Sequence, residues 1–246
     1  MNNSTDSLAG EAYVVIRERI LRGELAIGTV ISRRKLAAEL GMSSVPVSEA
    51  FQRLEFEGLV ESRPRAGTRV KIPTEDEVRG HYIIRSALEA EAARLFAEVA
   101  TTQQRLELQK LAVRVDTLAG QVEGNRFTYL SVHEKLHRRI AEGARCERLV
   151  DAIEKNHVLA LTWLCSARPA GTGRPPRRHQ DLIGIVVGGT PVEAAEAMRL
   201  HIQSALQNTL DRLEPHFRQR EADGKTYTRN SSPIAASGEP VDGLRD

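Results

Sequence analysis

Two cysteines, Cys146 and Cys165, are too few in 246 residues for a disulfide framework or a cysteine-ligated metal site. Aromatic residues make up only 4% of the chain, against 41% hydrophobic residues overall. A core must therefore be built largely from aliphatic side chains, which suits a helical protein rich in Ala and Leu. No apolar run approaches the ~18–20 residues needed to cross a bilayer. The polar start from Met1 to Gly10 lacks the apolar segment of a secretory signal. These absences point to a reducing cytoplasm and exclude a membrane as partner. The chain also lacks a strong charge of either sign. At a net +2 it has no global attraction for nucleic acid, so any basic footprint must be local.

A local footprint is present. Leu36, Ala37 and Leu40 form a short apolar stripe that ends at Gly41, a residue suited to the left-handed turn after a helix. Val47, Ala50, Phe51 and Leu54 then recur at i, i+3, i+4 and i+7, the spacing of a second amphipathic helix. Gly58 closes it, and Leu59-Val60 and Arg69-Val70 flank a turn bearing Gly67. Two short helices and a two-stranded wing present the second helix to a DNA major groove. Arg33, Arg34 and Lys35 open the first helix of the pair, and Arg63, Arg65, Arg69 and Lys71 crowd the wing. Double-stranded DNA is the first candidate partner. Pro46 is suited to the first turn of the second helix and is expected to push Val45 out of the α region, with Ser44 as N-cap.

Punctuation divides the rest. Residues 1–7 read as a disordered tail, and a helix over 8–22 with Tyr13, Ile16 and Ile20 inward precedes the helix pair. The DNA-binding unit spans 8–71 and a linker spans 72–76. Thr74, followed by Glu75, Asp76 and Glu77, marks a helix start. From there the periodicity is helical throughout, predicting helices over 75–100, 102–122, 125–143, 146–167, 175–188 and 190–217. Thr190, Pro191 and Glu193 supply an N-cap, a first-turn proline and a capping box. The fold class is mainly α: a winged helix-turn-helix, then an all-α antiparallel bundle over 77–218 with room for a central cavity. Composition turns to Gly, Ser, Pro and charge after Arg218, so 219–246 reads as a disordered tail.

Four histidines fall on inward stripes of that bundle. His133 and His137 share one face with Leu136 and Ile140. His179 lies with Leu182, Ile183 and Val186, and His201 with Ala194, Ala197, Met198 and Ala205. Two imidazoles at i, i+4 plus one from each of two other helices can hold a divalent metal. Inward histidines satisfied within the core are the alternative.

Residues 8–71, above all ILRGELAIGTVISRRKLAAELGMSSVPVSEAFQRLEFEGLVESRPRAGTRV, resemble the winged module of the GntR family of bacterial transcription regulators. The resemblance implies that Arg34 contacts phosphate and base, and that Gly67 lets the wing tip approach the minor groove beside Arg65 and Arg69. Family members usually carry arginines where this chain has Ser44 and Ser48, so Ser43, Ser44, Val45, Ser48 and Gln52 would form a less charged reading surface.

Residues 75–215 resemble the ligand-sensing domain of the FadR-like branch, of the FCD type, through YIIRSALEAEAARLFAE, YLSVHEKLHRRIAEGARCERLV and HQDLIGIVVGGTPVEAAEAMRLHI. Many such domains hold a metal through an Asp or Asn and three histidines. The histidines correspond to His137, His179 and His201, and His133 stands at the Asp/Asn position. An imidazole there would favour Zn, Ni or Co over Mn; the alternative is that His133 swings away and leaves three ligands. Arg85 stands where the family directs an arginine at a carboxylate effector; an i, i+4 pair with Glu89 is the alternative. The resemblance implies a homodimeric, effector-responsive repressor that binds operator DNA, and no enzymatic activity. A sensor in which the ion itself is the signal, and a metalloenzyme using the bundle histidines, are the competing readings.

Overall fold

The computed structural model describes residues 7–63, 67–120, 126–166 and 177–230, with side chains at 126–127, 157–162, 164–166 and 221–230 left aside. The N-terminal unit begins with α1 (Leu8–Leu21), capped by the Ser7 hydroxyl, which accepts from the Gly10 N–H at 3.1 Å. Its Ala12, Tyr13, Ile16 and Ile20 are buried. Then come β1 (Val30–Ile31), α2 (Arg33–Glu39), α3 (Ser44–Phe56), β2 (Val60–Arg63) and β3 (Gly67–Val70). The turn after α2 places Gly41 at φ 65°, in the left-handed region that its lack of a Cβ makes accessible. Val47, Ala50, Phe51 and Leu54 are all fully buried, as their spacing requires. Burying each of the larger ones stabilises the unit by about 1.5–3 kcal/mol.

The sheet has β3 at its centre, antiparallel to both neighbours, in the order β1-β3-β2. Ser62 faces Thr68 across β2 and β3, and Ile31 of β1 pairs with the same Thr68. The third strand, β1, was not visible in the sequence because two residues carry no period.

Two expectations about α3 are corrected. Ser43, not Ser44, is the N-cap, and its side chain makes no capping bond. Val45 is helical despite preceding Pro46, which lies buried in the first turn. Burial of the proline ring beside Val47 outweighs the local steric preference.

The bundle is α4 (Glu75–Val99), α5 (Thr102–Ala119), α6 (Arg126–Gly143), α7 (Glu147–Ser166), α8 (Arg178–Gly188) and α9 (Pro191–Asn230). Helix α4 packs chiefly on α9, α5 on α6 and α8, and α6 on α4 and α7. Thr74 with Glu77, Thr101 with Gln104 and Thr190 with Glu193 form reciprocal caps at three helix starts. Arg105 ties ends together: its guanidinium donates to the Ala97 and Ala100 carbonyls ending α4 and to Val187 near the end of α8. Helix α9 runs to Asn230, past residue 218 where composition suggested a tail. Gln219, Arg220, Glu221 and Ala222, which follow directly, are good helix formers, so the helix already begun continues past 218. The suggested tail segments 1–6 and 231–246 lie outside the described residues.

The linker is clasped from both sides. Lys71 Nζ donates to Glu77 at 2.6 Å, and Arg220 on α9 donates to the Ile72 carbonyl. Burial would raise the Glu77 pKa, but Lys71, the Thr74 N–H and Arg220 outweigh it and hold it low. Helix α7 also packs on α1, so the two units share a contact beyond the linker.

Candidate DNA-reading surface and candidate metal centre

On the winged unit, Arg34, Lys35, Ser43, Ser44 and Val45 are exposed and Ser48 is partly so. Among the described residues the side chains of Arg34 and Lys35 have no protein partner, which leaves their charges available to phosphate. The other basic residues differ. Arg33 donates from Nε to Thr68 Oγ1 at 3.0 Å and from Nη2 to Ser62 Oγ at 2.9 Å. Its guanidinium lies 5.1 Å from the Phe51 ring centroid. Arg69 donates to Glu61 at 2.6 Å, and Arg63 lies 3.4 Å from the same carboxylate. Two of the wing's basic residues, Arg63 and Arg69, thus share Glu61 within it. Gly67 is exposed at φ 79°, and Arg65 lies outside the described residues.

In the bundle the four histidines converge. His133 and His137 come from α6, His179 from the first turn of α8 and His201 from α9. Ring centroids are 4.6 Å apart for His133–His137, 5.0 Å for His133–His179, 5.3 Å for His137–His201 and 5.2 Å for His179–His201. Nitrogens of His133, His137 and His201 lie within 4.8 Å of one another, with His133 Nε2 and His137 Nε2 3.2 Å apart. Ligand nitrogens held at ~2.0–2.1 Å in a tetrahedral zinc site are separated by a little over 3 Å, so this pair already spans one edge of such a site.

Two carboxylates back the cluster. Asp116 on α5 accepts from the His179 ring Nδ1 at 2.6 Å and from the backbone N–H groups of His179 and Gln180. Glu89 on α4 lies 2.5 Å from His137 Nδ1 and accepts from Arg85 Nε at 2.7 Å. Carboxylates at both Nδ1 atoms leave the Nε2 atoms for the cluster, the arrangement that orients metal-ligating imidazoles. His179 Nε2 is buried with no hydrogen-bond partner among the described residues. The donor set therefore fits a divalent ion with nitrogen affinity.

The protonation states agree. Burial pulls the His179 pKa down to about 4, against the opposing pull of Asp116. Burial and the neighbouring imidazoles hold His133 and His201 well below the ordinary value too. These imidazoles are neutral near pH 7, the form that binds metal.

Arg85 pairs with Glu89 as the i, i+4 alternative anticipated, but the pair is buried, with side chains 4% and 3% exposed. Burial would lower the Arg85 pKa; the Glu89 charge and contacts with Tyr82 outweigh it and raise it. Tyr82 in turn bonds Thr209 of α9 at 2.7 Å. Sequence reading missed Asp116, although an acid beside Ala112 and Val115 on the buried face of α5 was a signal. It named Glu89 only as a partner of Arg85.

Residues 8–70 match the model for bacterial regulatory proteins of the gntR family, and residues 81–204 match the FCD domain. The chain belongs to the GntR family and carries an FCD domain. It is 28% identical over 207 residues to a probable D-xylose utilization operon transcriptional repressor of Paenarthrobacter nicotinovorans, covering 82% of this chain and 89% of that one. It is 27% identical over 209 residues to the transcriptional repressor RspR of Escherichia coli K12, covering 82% and 88%. Its fold is like that of a GntR regulator from Rhodococcus sp. RHA1, with TM-score 0.69 at 19% identity over 82% of this chain and 97% of the other. The E. coli McbR/YncC structure matches at TM-score 0.60 and 21% identity, over 86% and 99%. This GntR protein is a DNA-binding transcription regulator rather than an enzyme, which removes the metalloenzyme reading. No described helix is long and apolar enough to cross a membrane.

Proposed function

We propose that the protein is a cytoplasmic, homodimeric repressor whose operator affinity responds to a small carboxylate at a metal centre in its bundle. The convergence of His133, His137, His179 and His201, two of them backed by buried carboxylates, carries this reading. A bound Zn or Ni ion would supply an electrophilic centre for carboxylate oxygens, and Arg85 the nearby fixed cation. A ligand changes DNA affinity only through unequal affinity for two arrangements of the winged units. Dimerisation is supported by α4, which exposes Ile83 at 69% and Ile84 at 51% between the open positions Gly80 and Ala87. Arg34, Lys35 and the N-terminal turn of α3, Ser43 to Ser48, would meet the duplex, with Arg65, Gly67 and Arg69 of the wing beside it.

One observation favours the second reading, in which the ion itself is the signal: Arg85 is already occupied by Glu89 and Tyr82. Elemental analysis of the purified protein and of His137→Ala tests the centre. Operator binding with and without chelator, then with a panel of small carboxylates, separates the readings. A carboxylate response that needs metal supports the first reading; a response to metal alone supports the second. A metal-free protein whose operator affinity ignores both sinks the proposal.

A further inference from the structure

The basic residue opening α2 is placed differently from its neighbours. Arg34 and Lys35 reach solvent, while Arg33 turns back onto its own domain. Its two donated bonds end on hydroxyls of two wing strands, Ser62 on β2 and Thr68 on β3, and its guanidinium carbon lies over the Phe51 ring of α3. Thr68 is 4% exposed and Phe51 is fully buried, whereas Ser62 is exposed, so this contact runs from the edge of the core out to the domain surface.

The proton accounting of the network closes. Glu55, also on α3, accepts from the Ser62 N–H at 2.8 Å and from the Ser62 hydroxyl at 3.1 Å. With its proton committed to Glu55, Ser62 Oγ has two lone pairs, for Arg33 and for the Thr68 hydroxyl 3.2 Å away. Thr68 Oγ1, donating to Ser62, still accepts from Arg33 Nε. One guanidinium thus ties the start of α2, both strands of the β2–β3 pair on one face and, through Glu55, the last turn of α3 into a single connected set. Charge-assisted bonds of this kind, made in fork geometry, fix direction as well as distance.

We infer that Arg33 is a positioning residue for operator recognition: it sets the wing relative to α3, and DNA senses it through where the wing lies. The separation between the reading helix and the wing decides which base steps the two can reach together. The strut is therefore a determinant of specificity built from residues that touch no base. Lysine cannot replace it, because an ammonium lacks the planar fork that reaches two hydroxyls at once beside the ring.

The test uses the full-length protein and a duplex that the wild type selects from a randomised library, with binding read by fluorescence anisotropy across a salt series. Arg33→Lys keeps the charge and removes the fork. Thr68→Val keeps Arg33 and removes its acceptor. Amide hydrogen exchange on α1 and α3 establishes that each variant retains the domain core. The strut requires both variants to bind the selected duplex roughly tenfold more weakly, a loss of about 1.4 kcal/mol, with faster exchange at the β3 amides. A direct phosphate contact predicts the opposite, since lysine serves as a phosphate partner and Thr68→Val frees the arginine. Wild-type affinity within about twofold for Thr68→Val overturns the inference whatever Arg33→Lys does, and so does wild-type affinity for Arg33→Lys. If Arg33→Lys loses its core, Thr68→Val decides alone.

Discussion

Replacing Glu89 with alanine removes the one anion held between two buried bases. The carboxylate is 3% exposed, 2.7 Å from Arg85 Nε on one side and 2.5 Å from His137 Nδ1 on the other. Without it the Arg85 guanidinium, itself 4% exposed, keeps its charge and has only the Tyr82 contacts against a large desolvation cost. Breaking a buried pair from one side costs about 3–5 kcal/mol. In a chain of this size each kcal/mol moves the melting temperature by about 2–4 °C, so Glu89→Ala is expected to melt about 6–20 °C lower. Urea denaturation of chelator-treated protein, followed by far-ultraviolet circular dichroism, measures the loss directly. The double variant Arg85→Met/Glu89→Leu removes both charges and is expected to recover most or all of the loss. A Glu89→Ala protein within about 1 kcal/mol of wild type, or a double variant less stable than the single, would show that Glu89 does not offset the buried Arg85 charge.

Other consequences are more local. Asp116→Asn loses the charge behind His179 and is expected to weaken metal binding about 10–100-fold, measured by competition with a chromophoric chelator; unchanged affinity would mean that His179 is not a ligand. Metal-free protein should be most stable above about pH 6.5 and lose stability as pH falls towards 4. The sign follows from His179, whose pKa falls from 6.5 to about 4 on folding, so that unfolding takes up a proton in that window. His133 and His201 shift in the same direction, and stability curves flat over that range would contradict all three. Arg34→Ala should weaken binding to all duplexes alike and reduce the salt slope by about 1; a change in which sequence is preferred would instead make Arg34 a base reader.

Much of this was legible because it is periodic. The apolar stripe of α3, the i, i+4 histidines of α6 and the caps at Thr74 and Thr190 are local patterns, and the structure keeps them. What escaped depends on partners that sequence spacing does not pair. Arg33 and Arg69 read as free positive charge, yet one is bound by hydroxyls about thirty residues away and the other by a carboxylate across a strand pair. Asp116 reaches His179 only because α5 and α8 lie side by side. Val45 shows a local preference yielding to burial of its neighbour, Pro46. The polar end of α9 read as tail because composition records solubility, whereas a helix already begun adds one backbone bond per further residue.

That last helix has a mechanical consequence. It carries His201 in the histidine cluster and Arg220 against the Ile72 carbonyl of the linker, on one uninterrupted stretch even though Pro215 removes a rung of its ladder. At 1.5 Å per residue the two points are about 28 Å apart. A tilt of about 4° pivoting at the histidine end moves the far end by about 2 Å, as large as the helix shifts that switch other assemblies. The bundle thus holds a long lever whose short arm is chemical and whose long arm rests on the joint carrying the DNA-reading unit.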